Sequence, residues 1–256
     1  MAEIETGRDG GVLTITLNRP EAYNAFTTSM HQALHAALDE ARAADVRAVV
    51  ITGAGKGFCA GQDMKEFESV DRDIAGHLEA SYHPNVRTIR ALEKPVIAAV
   101  NGAAAGAGLS LACACDIRIA ADSAAFVPGF IGIGLVPDSG GTFYITRLVG
   151  PSRAFAWMTS NRKLTAPEAH AWGLVEEVVP AESLPARAAE LAATYAAGPT
   201  VAIGMTKHLL DRATRATLDE QLALEAQLQA AVTKTEDFRE GVTAFLEKRP
   251  PNFTGR

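Results

Sequence analysis

The segment between Lys94 and Asp116 constrains this chain more than any other, because the 21 residues 95–115 include no Asp, Glu, Lys or Arg. A run of that length could cross a bilayer. However, Pro95, Asn101, Gly102, Gly106, Gly108 and Ser110 interrupt it, and alanine supplies much of the rest. Proline and glycine at such spacings punctuate a segment instead of extending one helix. The run therefore reads as a buried strand (Pro95–Val100), a tight turn, and a buried helix that opens after Gly106 and ends near Cys115. Such a segment must be wrapped by other layers. A chain of 256 residues with 48% hydrophobic content can do this without disulfide or metal staples.

The flanking sequence supplies those layers. Residues 3–8 and 11–17 alternate about Asp9-Gly10-Gly11, a hairpin signal. Positions 28–43 have helical periodicity, with Met30, Leu34, Ala37, Leu38 and Ala41 on one face. His31, His35, Asp39 and Arg42 fall on the other, which reads as a solvated face. Val46–Thr52 is a β-branched run, hence a buried strand, and Gly53–Gly57 turns the chain. A helical stretch over 72–92 precedes the uncharged run, and a strand over Asp116–Ala120 follows it. Strands alternating with helices indicate an α/β protein of repeated β-β-α or β-α units with parallel pairing. Gly129–Gly141 is a long Gly- and Pro-rich loop, a type that commonly bears function. Beyond it the pattern is helical apart from a short strand at Val175–Val179, with capping-box spacing at Thr165…Glu168 and Thr217…Glu220. The expected division is a mixed α/β part over 1–199 and a helical part over 200–256.

Charge and motifs exclude several functions. Lys and Arg number 24 against 30 Asp and Glu, a net charge of -6, which leaves no basic footprint for nucleic acid or for a membrane surface. Three cysteines, an odd count, point to a reducing, cytoplasmic setting. With charges spread through the first thirty residues, no signal peptide is expected. After Gly106-Ala107-Gly108, the third glycine of a dinucleotide fingerprint falls on Leu111. Gly55-Lys56 lacks the Ser or Thr of a phosphate loop, and Pro137 occupies the first glycine of a nucleophile elbow around Ser139. Cys113 and Cys115 read as small buried thiols. The i, i+4 pair His31 and His35 has no third ligand nearby, so no metal or redox cofactor is expected.

Two segments share an unusual design. Gly57-Phe58-Cys59-Ala60-Gly61-Gln62-Asp63-Met64 follows one strand, and Asn101-Gly102-Ala103-Ala104-Ala105-Gly106-Ala107-Gly108 follows another and opens a helix. Small residues let a ligand touch the main chain, and amides at a helix N-terminus are unpaired and partly positive. Facing one another, two such sites would supply paired N–H donors for a developing oxyanion, though close packing of Gly and Ala turns would leave the same composition.

LNRPEAYNAF, VVITGAGKGFCAGQDMKEF, EKPVIAAVNGAAAGAGLSLACACDIRIAADSAAF, GIGLVPDSGGT and FLEKRPPNF occur in order from about residue 12 to residue 253. Through these stretches the chain resembles the crotonase (enoyl-CoA hydratase/isomerase) superfamily. The resemblance implies a crotonase (ClpP-like) spiral of repeated β-β-α units with a C-terminal helical region that forms homotrimers, often paired into hexamers. It implies an acyl-CoA substrate, with coenzyme A as part of that substrate and no separate cofactor. It also implies an oxyanion hole made by the amides of Ala60 and Ala107. Ala22, Tyr23 and Ala25 resemble the loop that meets the nucleotide end of CoA, and Gly61, Gln62 and Asp63 its adenine and pantetheine side. Phe245 and Lys248 resemble the pair that reaches the CoA of a neighbouring subunit.

Three positions bear on the reaction. Hydratases of the family use two glutamates, and this chain has Ser110 and Phe130 at the matching places. Asp138, in Gly134–Thr142, resembles the single carboxylate of the isomerase branch, notably the Δ3,Δ2-enoyl-CoA isomerases and the epoxyphenylacetyl-CoA isomerase of phenylacetate degradation. The same place holds the nucleophile of a chlorobenzoyl-CoA dehalogenase. A loop aspartate that merely caps the next helix is the plainer alternative. The expectation is an acyl-CoA isomerase, with an enoyl-CoA hydratase and a non-catalytic acyl-CoA-binding protein as alternatives. Acyl preference would follow from 66–92 and 126–136, where Phe67, Tyr82, Val86 and Phe130 could line the pocket.

Overall fold

The hairpin expected at Asp9-Gly10-Gly11 is where the larger sheet begins. In the computed structural model, which describes residues 2–67 and 73–256, the strands are β1 (Ile4–Asp9), β2 (Val12–Leu17), β3 (Ala48–Gly53), β4 (Gly57–Cys59), β5 (Val96–Val100), β6 (Ala103–Ala105), β7 (Ile117–Ala121), β8 (Ala125–Val127), β9 (Leu164–Thr165) and β10 (Glu177–Val179). The helices are α1 (Thr28–Glu40), α2 (Met64–Phe67), α3 (Ile74–His77), α4 (His83–Ala91), α5 (Ala107–Ala114), α6 (Gly141–Val149), α7 (Pro151–Ser160), α8 (Ala166–Ala171), α9 (Leu184–Ala196), α10 (Thr200–Ala213), α11 (Leu218–Val232) and α12 (Glu236–Glu247).

The larger sheet runs β1-β2-β3-β5-β7-β10 and the smaller β4-β6-β8-β9. The pairs β3/β4, β5/β6 and β7/β8 each give one strand to either sheet, so the chain winds as a spiral of β-β-α turns. Apart from the β1–β2 hairpin, pairing in the larger sheet is parallel. Strands covered on both faces read as continuous apolar runs, and every residue of β5 is buried. The uncharged run accordingly becomes β5, β6 and α5, and among the described residues no helix is long and apolar enough to cross a membrane. β4, β6, β8 and β9 are absent from the sequence expectations because strands of two or three residues carry no measurable alternation.

The charges that bracket the run are also anchored. Lys94 Nζ donates to the carbonyls of Ala41 and Ala43, each at 2.6 Å. Asp116 takes Arg90 at 2.7 Å and Lys207 at 2.8 Å, and Arg90 also pairs with Asp211. This network ties α4 and α10 to the start of β7. Arg47 donates to Thr200 Oγ1 and to the carbonyls of Gly198 and Phe253, drawing the C-terminal segment onto the sheet. Asp237, near the start of α12 and 3% exposed, accepts the backbone amides of Thr254 and Gly255 at 2.7 and 2.9 Å.

The solvated-face reading of α1 is corrected at one position. His35 is half-buried, and His31 is 3% exposed, with its ring stacked on Phe26 at 4.3 Å and meeting Tyr82 at 3.9 Å. The helix is covered on a wider arc than its aliphatic stripe indicates, because α4 packs on its flank. The expected helix over 72–92 is three pieces: α3, a π turn at Leu78–Tyr82, and α4; its first residue lies outside the described residues. Pro84 sits just after the π turn and lacks the N–H that would continue a regular ladder.

Candidate active site

The first wall of the site is the N-terminal end of α5. Gly106 precedes it with φ +52, and Ala107 is its first residue, where an N–H has no acceptor inside the helix. A side chain at Gly108 is impossible: its Cβ would lie 2.2 Å from the carbonyl oxygen of Cys59. That close approach brings α5 against the end of β4 and the loop that follows it.

The loop after β4 forms the second wall. The Ala60 amide donates to the Tyr23 carbonyl at 3.0 Å. Its N–H is therefore committed within the protein, and this corrects the expectation that Ala60 offers a free donor. Phe26 and Gln62 form a parallel bridge, in which Phe26 donates to the Gly61 carbonyl at 2.7 Å and Asp63 donates to the Phe26 carbonyl at 2.9 Å. In such a bridge the N–H of residue 62 itself faces away from Phe26. A Cβ built on Gly61 would stand 3.3 Å from the Ala107 nitrogen. The two small-residue turns thus face one another, as their composition suggests.

The loop meeting these walls is held by side chains whose role the sequence reading did not draw out. Asn24, fully buried with φ +58, donates to the carbonyls of Gly57 and Ala54 at 2.8 and 3.0 Å and accepts the Arg19 amide at 2.8 Å. Asparagine tolerates the left-handed region and carries both donors and an acceptor, which is the signal that could have marked it. Arg19 pairs with Asp63 at 2.8 Å and holds its carboxyl below the usual range. The segment with Ala22, Tyr23 and Ala25 is thereby set beside Gly61, Gln62 and Asp63; Tyr23 is 53% exposed, whereas Ala25 is buried.

The third wall is the loop before α6. Phe130, 9% exposed, carries its ring tip 3.9 Å from where a Gly106 Cβ would stand. Ser110 is 1% exposed, and its hydroxyl donates to the main-chain oxygen of Asp138 at 3.0 Å. Ser139 follows in the left-handed region at φ +52, and its hydroxyl donates to Asp138 Oδ1 at 2.9 Å. The capping alternative fails: the N-cap of α6 is Gly140, with no side-chain cap, and Gly141 bonds the backbone oxygen of Asp138 instead. The carboxyl is half-buried. Burial pushes it above its ordinary range, against the opposing pull of the Ser139 hydroxyl and His83. A residue held in strained backbone next to a carboxyl raised by burial is a common combination at functional sites.

Tyr82, at the end of the π turn, donates its hydroxyl to Gln62 Oε1 and links α4 to the loop after β4. Burial is the main cause of its raised pKa, and the charge of Asp138 is the next. Cys59, Cys113 and Cys115 are buried thiols pushed up to about 12, which leaves them protonated and inert. Among the described residues no cluster of three His, Cys, Asp or Glu side chains is placed to hold a metal.

The enoyl-CoA hydratase/isomerase family profile matches residues 7–256. The chain belongs to that family. It is 45% identical over 252 residues to the 1,2-epoxyphenylacetyl-CoA isomerase of Escherichia coli strain K12, with 96% of both chains covered. It is 38% identical over 258 residues to the 2,3-dehydroadipyl-CoA hydratase of the same organism, with both chains covered in full. A solved enoyl-CoA hydratase from Bacillus anthracis aligns at a TM-score of 0.95 and 35% identity, over 99% of this chain and 100% of that one. The spiral is the crotonase fold.

In this enoyl-CoA hydratase/isomerase family member, Asp138, Phe130, Ser110, Ala107 and Gln62 converge on one region. Phe245 and Lys248 do not join them within the subunit. Phe245 is 82% exposed on α12 and lines a separate apolar groove with Phe238, Val242 and Phe253. Lys248 ends α12 in the left-handed region at φ +56.

Proposed function

We propose that this chain is an acyl-CoA isomerase that shifts a double bond, or rearranges a related ring epoxide, through a thioester enolate. The observation that carries the reading is the Asp138 carboxyl. It is half-buried, free of helix-capping duty, and raised by burial toward the range in which a carboxylate can both take and return a proton. In the simplest form, Asp138 removes the α-proton of a 3-enoyl-CoA. The C–H electron pair moves into a dienolate whose charge rests on the thioester oxygen. The same proton then returns to the γ-carbon, so the net change is migration of the double bond.

The Ala107 amide, aided by the N-terminal end of α5, would hold that oxygen, and the Gln62 amide takes the place expected of Ala60. Donors of this kind stabilise an oxyanion by roughly 3–4 kcal/mol each. Phe130 and Ser110, where hydratases of the family carry glutamates, leave neither position able to act as a base. The apolar ring of Phe130 also favours proton shuttling over water addition. The CoA moiety would lie along Ala22, Tyr23, Ala25 and Gly61–Asp63. No cofactor beyond the substrate's own CoA enters this scheme. Leu218, Leu222, Val242, Phe245 and Leu246 are exposed on α11 and α12, which supports a homo-oligomer, trimer or hexamer, in which Phe245 and Lys248 meet a neighbour's CoA. Three unpaired cysteines support a cytoplasmic setting.

The test is Asp138→Asn, assayed for isomerisation of a 3-enoyl-CoA and for hydration of a 2-enoyl-CoA. Loss of isomerisation by roughly 10²–10⁴-fold is expected. Undiminished isomerisation would remove Asp138 from the reaction, and efficient hydration by the parent enzyme would favour the hydratase reading instead.

A further inference from the structure

Beside Ala107 lies a small cavity of about 10 Å³, lined by His31, Asn85, Tyr82, Val86, Ala107 and Ser139 among others. A space of that size holds a single water-sized oxygen. His31 and Asn85 are 3% and 2% exposed, and His31 Nε2 and Asn85 Oδ1 have no protein partner. The other polar side chains on the wall are spent: the Tyr82 hydroxyl on Gln62, and the Ser139 hydroxyl on Asp138.

The protonation of His31 follows from its neighbours. Asn85 Nδ2 lies 3.2 Å from the carbonyls of His31 and Ser81, which fixes it as the amide's donor end. The same nitrogen lies 3.2 Å from His31 Nδ1. An NH₂ group cannot accept, so a hydrogen bond at this contact requires a bare Nδ1, which places the neutral ring's proton on Nε2. Two residues lining the cavity thus carry one unmet donor and one unmet acceptor, the complement of a hydroxyl-type oxygen. Unmet buried polar groups are rare in native proteins because leaving them so is costly.

We propose that this cavity is a single-oxygen subsite at the inner wall of the acyl pocket, where a hydroxyl-type oxygen accepts from His31 Nε2–H and donates to Asn85 Oδ1. The oxygen comes either from an ordered water or from a hydroxyl borne by the acyl group. The second source rests on the acyl-CoA reading above; the first does not, and would survive the failure of Asp138 as the base. Because the ring nitrogen facing the cavity bears a proton, the subsite orients an oxygen without activating it. It would therefore select among acyl groups without turning the enzyme into a hydratase.

Crystal structures of the free enzyme, and of its complexes with a hydroxylated acyl-CoA and with the deoxy counterpart, test this directly. One oxygen within hydrogen-bond distance of both atoms is expected in all three. Retention of the free-enzyme water beside the hydroxylated ligand assigns the site to water, and replacement by the ligand's hydroxyl assigns it to substrate. In the latter case His31→Phe, which keeps a stacking ring, should cut the kcat/KM preference for the hydroxylated substrate about tenfold. An empty cavity in all three structures overturns the proposal, as does nitrogen NMR showing His31 protonated on Nδ1.

Discussion

The hydroxyl of Ser110, at the second turn of α5, holds the main-chain oxygen of Asp138 at 3.0 Å. One helix therefore presents the Ala107 amide at its first residue and fixes the proposed base one turn later. Removal of this bond by Ser110→Ala leaves the Asp138 oxygen its Gly141 partner at 2.8 Å, so the fold should survive at a cost of about 0.5–1.5 kcal/mol. Catalysis should suffer more than binding, with kcat falling roughly tenfold or more and KM little changed, since small misplacements of a reacting group are expensive. Steady-state kinetics of the variant against the parent will show whether the split takes this form.

The raised carboxyl of Asp138 links activity to stability. Between its ordinary value of 3.8 and its higher folded value, the folded chain binds the proton more tightly than the unfolded chain. Stability contributed by this group is therefore present at low pH and lost as pH rises through that window. Asp138→Asn should melt at a higher temperature than the parent at pH 7, and the gain should vanish below pH 4. Turnover that uses Asp138 as the base should fall as pH drops through the raised value. Melting curves and a pH–rate profile measure both.

His31 behaves in the opposite sense. Burial, with the nearby His77 as a second cause, depresses its pKa from 6.5 to about 3. Stability from keeping this ring neutral is complete above pH 6.5 and is lost as pH falls toward 3, by on the order of 4 kcal/mol. Denaturant unfolding between pH 7 and pH 4 should show a flatter pH dependence for His31→Phe than for the parent.

Gly108 should tolerate no side chain. Its Cβ would lie 2.2 Å from the Cys59 carbonyl oxygen, and neither partner is the end of a flexible side chain. Gly108→Ala should cost roughly 3 kcal/mol or more, or yield insoluble protein, while Gly7→Ala, with open space around the new methyl, should stay within about 0.5 kcal/mol of the parent. Expression yield and unfolding free energies distinguish the two.

The inner strands β3 and β5 were legible because burial on both faces leaves unbroken apolar runs, and β1 and β2 through their alternation about a hairpin turn. Both capping boxes, at Thr165 and Thr217, form as their spacing implies. The facing of the two Gly/Ala turns was legible from composition and resemblance together. What escaped depends on contacts distant in sequence. The commitment of the Ala60 amide requires Tyr23 to fold back across it, and the burial of His31 requires Asn85 and Tyr82 from another helix. No local pattern encodes either.

The contact of Asp237 with Thr254 and Gly255 has a consequence for how this molecule comes apart. A carboxylate enclosed at the first turn of α12 uses the chain's final residues as its solvation shell. Peeling away that segment would strand the charge in the interior, so the ending cannot fray residue by residue while α12 stays in place. The last stretch of backbone and the helix before it should therefore open together, so amide exchange at Thr254 and Gly255 is expected to report the opening of α12 itself.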